Sequence, residues 1–100
     1  MKKFLAIYQS SPESIQQMAN VTPEQSAAIM KDWMKWKAAN EKHIVDFGAP
    51  VMPVACTGGA VASGNVSGYS ILQANDMDEL KRVCAEHPHN DIEFLQCVDM

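Results

Sequence analysis

KFLAIYQ, residues 3–9, reads as a β-strand that is apolar on both sides. Side chains alternate along an extended chain, so Phe4, Ala6 and Tyr8 fall on one face and Leu5 and Ile7 on the other. A strand with one solvated face carries polar residues at every second position, and this one does not. It belongs to a sheet that is covered twice. IEFLQCV, residues 92–98, repeats the pattern, with Ile92, Phe94 and Val98 set against Leu95 and Cys97.

Between these strands the chain supplies two helices and two more strands. SSPESIQQMAN, residues 10–20, has turn formers followed by a short helical turn or two. VTPEQ then opens a helix expected to run to about Lys42: Thr22 suits the N-cap, Pro23 the first helical position, and Gln25 the reciprocal position of a capping box. At about 100° per residue, Ile29, Met30, Trp33, Met34 and Trp36 share one face, opposite Lys31, Asp32, Lys35 and Lys42. Lys37 and Asn40 fall inside that apolar arc. HIVDFGAP, residues 43–50, is a strand interrupted or bulged near Gly48 to Pro53, and the chain stays extended through VACT. TGGAVASGN is loop, with a tight hairpin expected at Gly58-Gly59. VSGYSILQA, residues 66–74, is a clear strand. DMDELKRVCAEH, residues 76–87, is a helix with Asp76 as N-cap, Glu79 at the capping-box position, and Leu80, Val83 and Cys84 inward.

The order β, α, β, β, α, β predicts one α+β domain over residues 1–100. It is a ferredoxin-like βαββαβ fold with a four-stranded antiparallel sheet and helices on one face. Helices cover only that face. The other needs a second sheet, most simply that of an identical chain, so the expected assembly is a homodimer forming a dimeric α/β barrel.

Composition excludes some partners. A formal charge of −4 opposes binding to a phosphate backbone, so nucleic acid is not expected. The apolar run Phe4 to Tyr8 is shorter than the roughly 7–15 residues of a signal-peptide core, and no ~20-residue apolar span is present to cross a bilayer. Cys56, Cys84 and Cys97 are odd in number and contain no CxxC, which favours reduced thiols in the cytoplasm.

In order along the chain, KKFLAIYQ, QMANVTPEQ followed by WMKW, VDFGAP, GYSILQA and EHPH resemble the YCII-related family, in the subgroup near the DGPF-domain proteins. The resemblance covers nearly the whole chain. It implies a ferredoxin-like subunit that pairs sheet to sheet, and a small-molecule enzyme with a His and an Asp in a cleft. Two features depart from that pattern. The DGPF motif is missing, and residues 23–42 contain no histidine where that family's helix carries one.

CAEHPHND, residues 84–91, admits three readings. Pro88 disfavours helical geometry at His87, so the segment can simply end a helix. Cys84, His87, His89 and Asp91 are also metal-ligand types, but a second ligand pair is missing, and neither a metal nor a cofactor is expected. The third reading is acid/base chemistry by His87 or His89, since an unperturbed imidazole titrates at about 6.5, beside a carboxylate such as Asp46. Asp46 ranks first among these candidates. It stands within a strand on the same parity as Ile44, where a partly buried carboxylate needs a partner. Tyr8, Trp33, Trp36 and Tyr69 are the candidate ligand-binding walls of the same cleft, with core packing as the competing role of each. His43 reads as an exposed helix-end residue. The functional expectation is a small-molecule cleft that runs cofactor-independent proton transfer, or a non-catalytic ligand-binding or regulatory dimer.

Overall fold

The computed structural model describes residues 1–11, 13–14, 17, 20–61, 64–89 and 91–99. Part of the 10–20 segment, where a short helical turn is expected, lies outside the described residues. The elements in chain order are β1 (Lys2–Gln9), α1 (Pro23–Ala39), a 3-10 turn (Glu41–His43), β2 (Ile44–Pro50), β3 (Val66–Ala74), α2 (Met77–Val83) and β4 (Ile92–Gln96). The strands form one antiparallel sheet in the order β2-β3-β1-β4, which is the ferredoxin-like arrangement.

Register explains how the two faces differ. Phe4 pairs with Leu72 and Ala6 with Ser70, and all four are buried. Leu80 of α2 and Trp36 of α1 complete this core, so both helices cover the same face. Leu5 pairs with Ile71 and with Leu95, and Ile7 with Tyr69 and Glu93, on the opposite face. Leu5, Ile7, Tyr69 and Ile71 are half-buried and Leu95 is exposed.

The start of α1 follows from local chemistry. Thr22 Oγ1 accepts the Gln25 N–H at 3.2 Å, and Gln25 Oε1 accepts the Thr22 N–H at 3.0 Å. Each bond satisfies a donor that the helix leaves unpaired. Thr22→Ala is expected to cost about 1 kcal/mol, read from urea unfolding midpoints, because it removes the Oγ1 that accepts the Gln25 N–H while the bond from the residue's own backbone N–H remains. No change would show that tertiary contacts alone hold the first turn.

Several boundaries differ from the sequence expectation. α1 ends at Ala39 rather than Lys42, because Asn40 caps it through its backbone N–H and its side chain, which donates to the Trp36 carbonyl at 3.0 Å. That bond accounts for a polar residue in the apolar arc. Lys37 is placed by its ammonium, 5.1 Å from the centre of the Phe47 ring. Of the apolar face itself, only Trp36 is buried and Trp33 half-buried, while Ile29, Met30 and Met34 are exposed. α2 ends at Val83, four residues before His87, where tight turns take over: the Ala85 N–H bonds the Arg82 carbonyl and the His87 N–H the Cys84 carbonyl. Gly58 and Gly59 form a turn closed by the Ala60 N–H on the Thr57 carbonyl, but this turn lies within the long connection between the paired strands β2 and β3 rather than joining them as a tight hairpin. His43 is buried rather than exposed, because its Nδ1 lies 3.0 Å from the Gln73 carbonyl and 3.6 Å from Glu79. No described helix is long and apolar enough to cross a membrane.

Candidate functional site

β1 carries Tyr8 into the covered face of the sheet, and the turns after α2 bring His87 onto it. Both are only 4% exposed. The protons of this cluster can be placed from geometry. The His89 backbone N–H donates to His87 Nδ1 at 2.9 Å, so neutral His87 carries its proton on Nε2. Nε2–H then donates to Tyr8 Oη at 3.2 Å. Tyr8 Oη–H donates to Ser70 Oγ at 2.7 Å, and Ser70 Oγ–H to the Phe47 carbonyl at 2.6 Å. The result is a one-way chain across three elements in which every donor is used.

Burial sets the charge of these groups. Loss of water lowers the His87 pKa to about 4, which keeps the imidazole neutral near pH 7. Tyr8 is raised above its ordinary value, chiefly by burial and partly offset by its bond to Ser70, so it remains a donor. Burial pushes the Cys84 thiol up to about 11, leaving it a packing residue. Aromatic rings enclose the cluster. Trp33 meets Tyr8 and His87 edge-on at 5.1 and 4.7 Å between centroids, and Trp36 lies 4.3 Å from His87.

His89 differs from His87. It is half-buried, and its Nε2–H donates to the Gln9 carbonyl at 2.7 Å. The Nδ1 atom is then the proton acceptor, and it makes no hydrogen bond among the described residues. With half-buried Trp33, His89 forms the open edge of an otherwise closed cluster. Two surface concavities lie elsewhere. One of about 500 Å³ is bounded by Lys42, His43, Glu79 and Arg82. The other, about 280 Å³, is bounded by Val51, Met52, Pro53, Gly64 and Val66.

Several sequence candidates are thus separated. Asp46 is exposed, and its carboxylate accepts the Gly48 N–H at 2.8 Å. The reason is a bulge: Ile44 pairs with Leu72 but Asp46 with Ile71, so two steps along β2 match one along β3. That shift moves Asp46 to the outer-face row and turns Phe47 toward Trp33, 5.9 Å away. Tyr69 pairs with Ile7 on the outer face, remote from Tyr8. Trp36 is buried and gives its Nε1–H to the Val83 carbonyl at 3.0 Å, so it ties α1 to α2 rather than lining an opening. Tyr8, Trp33, His87 and His89 do come together. Ser70 and the Gln9 and Phe47 carbonyls are additional members. Ser70 had a visible signal, since it is the polar residue on the Gly68, Leu72, Ala74 parity of β3. Among the described residues no three metal-ligating side chains cluster.

No family model matches the chain, and no curated protein matches it in sequence. A solved structure does match. It is 5-chloro-2-hydroxyhydroquinone dehydrochlorinase (TftG) from Burkholderia phenoliruptrix AC1100, in complex with 2,5-dihydroxybenzoquinone. The TM-score is 0.57 at 16% identity, covering 96% of this chain and 93% of that one. The likeness shows a shared fold.

Proposed function

We propose that this chain is a YCII-related protein that binds a small, flat, weakly acidic organic molecule at the Trp33–His89 edge and moves a proton without a cofactor. The observation that carries this reading is the directed hydrogen-bond chain beside an imidazole nitrogen left over for a ligand. His89 Nδ1 takes the proton, because its Nε2–H is committed to Gln9. Tyr8 and His87 keep their protons and hold the floor rigid. The fold neighbour's bound quinone, 2,5-dihydroxybenzoquinone, is a small, flat organic molecule. The three free cysteines suit a reducing cytoplasm. A second copy on the apolar outer face, at Leu5, Ile7, Ile71 and Leu95, would complete a dimeric α/β barrel.

One observation favours a second reading, a non-catalytic ligand-binding or regulatory module. No described carboxylate stands within ion-pair distance of His87 or His89 to orient the imidazole during proton transfer. One experiment separates the two. Trp33 and Trp36 are the only tryptophans in the chain, so intrinsic fluorescence reports this site directly. Titration with 2,5-dihydroxybenzoquinone should give saturable quenching, weakened at least about ten-fold by His89→Gln, the size of losing one charge-assisted hydrogen bond. His43→Gln should leave it unchanged. Deuterium uptake at the ring carbons in heavy water would establish turnover, binding without uptake would establish the module, and absence of saturable quenching would sink both.

A further inference from the structure

VMPVACTGGAV, residues 51–61, follows β2 and contains no charged side chain. Every one of these residues is exposed, with Met52, Val54 and Val61 at 78%, 91% and 89%. Exposed apolar residues scattered singly need no explanation, but a continuous uncharged run marks a contact surface. The segment is also organised. Its base is held by the Val51 N–H on the Ser67 carbonyl at 3.0 Å, and its tip by the Thr57–Ala60 turn with Gly58 at φ +61°. It is an arm projecting from the edge of the sheet.

Area identifies the occupant. Four strands spaced about 4.8 Å apart and about 24 Å long present roughly 450 Å² in plan. A stable protein pair buries roughly 800 Å² on each partner. The outer sheet face supplies part of that area, and the exposed uncharged arm at the β2 edge is further surface for a second copy to cover. Val45 on β2 and Leu95 on β4, both exposed, carry apolar surface to the two sheet edges. A lipid surface fits less well, since residues 51–61 hold none of the Lys or Arg that keep a peripheral segment on anionic headgroups.

We infer that residues 51–61 of each chain pack on a second copy of this chain, so that arm and outer sheet face form one continuous contact. The inference rests on the dimer reading above and adds the element that completes it. Val54 and Val61 touch little in the single chain, so charges placed there test the contact without disturbing the fold. Sedimentation equilibrium at micromolar concentration should give twice the 11.0 kDa chain mass for the wild type. The double variant Val54→Asp, Val61→Asp should sediment as a monomer, with a dissociation constant raised at least 100-fold and an unchanged far-ultraviolet circular dichroism spectrum. If the variant pairs as tightly as the wild type while Ile71→Lys does not, the arm inference is overturned and the sheet-to-sheet dimer stands. A monomeric wild type overturns both readings. Flotation of that monomer with phosphatidylcholine–phosphatidylserine vesicles would assign the arm to lipid instead.

Discussion

Gly48→Ala should destabilise the fold by roughly 4 kcal/mol or more. Gly48 sits at φ +79°, and a Cβ built there would lie 1.8 Å from the Tyr69 carbonyl oxygen and 2.7 Å from its carbon. The obstacle is backbone on the neighbouring strand, so no rotamer change relieves it. The left-handed conformation alone costs a β-carbon roughly 1–2 kcal/mol. The clash adds the larger part, because β2 must move off β3 and takes with it the Phe47 carbonyl that receives the Ser70 proton. A total loss of roughly 4 kcal/mol or more is expected, against the roughly 5–15 kcal/mol that holds a typical domain. Gly58 provides the control. It has a similar φ of +61° with nothing within 4 Å of its hypothetical Cβ, so Gly58→Ala should show only the conformational cost of roughly 1 kcal/mol. Equal losses in the two variants, measured by urea unfolding, would disprove the close approach at Gly48.

The second large effect is acid sensitivity through His87. Its folded pKa of about 4 lies below the ordinary 6.5, so between these values the unfolded chain binds the proton and the folded chain does not. Stability is therefore fully present above about pH 6.5 and declines as pH falls toward 4. The contribution lost is roughly 3 kcal/mol, at about 1.36 kcal/mol for each tenfold difference in proton affinity between the folded and unfolded chain. Geometry gives the same direction, since a proton on Nδ1 would face the His89 N–H that now donates to it. His87→Gln removes the titration. It should lower stability at pH 7, by roughly 1–3 kcal/mol for the broken chain, yet lose about 3 kcal/mol less than the wild type between pH 7 and 4. Other carboxylates acidify both proteins alike and cancel in the comparison. Parallel acid losses in the two proteins would show that His87 is not the buried proton acceptor.

These two sites also show how far the sequence could be read. Alternation in KFLAIYQ and VSGYSILQA, and the caps at Thr22 and Asp76, are local properties, governed by a strand's two-residue period and by unpaired N–H groups at a helix start. They sufficed for the ferredoxin-like order of elements and for the strands with two apolar faces. Tyr8, His87 and His89 were visible as residue types worth considering. Their relation was not, because Tyr8 and His87 meet across 79 residues of sequence, and their bond depends on how the turns after Val83 return over β1.

Asp46 is the clearest case of the difference. Counting parity from Ile44 placed it inward, and that count holds only while the strand is regular. The bulge that reverses it lies in β2, where the extra residue Val45 lets the step from Ile44 to Asp46 match the single step from Leu72 to Ile71 on β3, next to the close approach of Gly48 to Tyr69. His43 follows the same rule, since the Gln73 carbonyl and Glu79 that bury it belong to other elements. Periodicity and capping thus determined which segments become strands and helices. Pairing between segments decided which faces their polar residues occupy, because hydrogen bonds to a neighbouring strand can insert a residue that no local pattern announces.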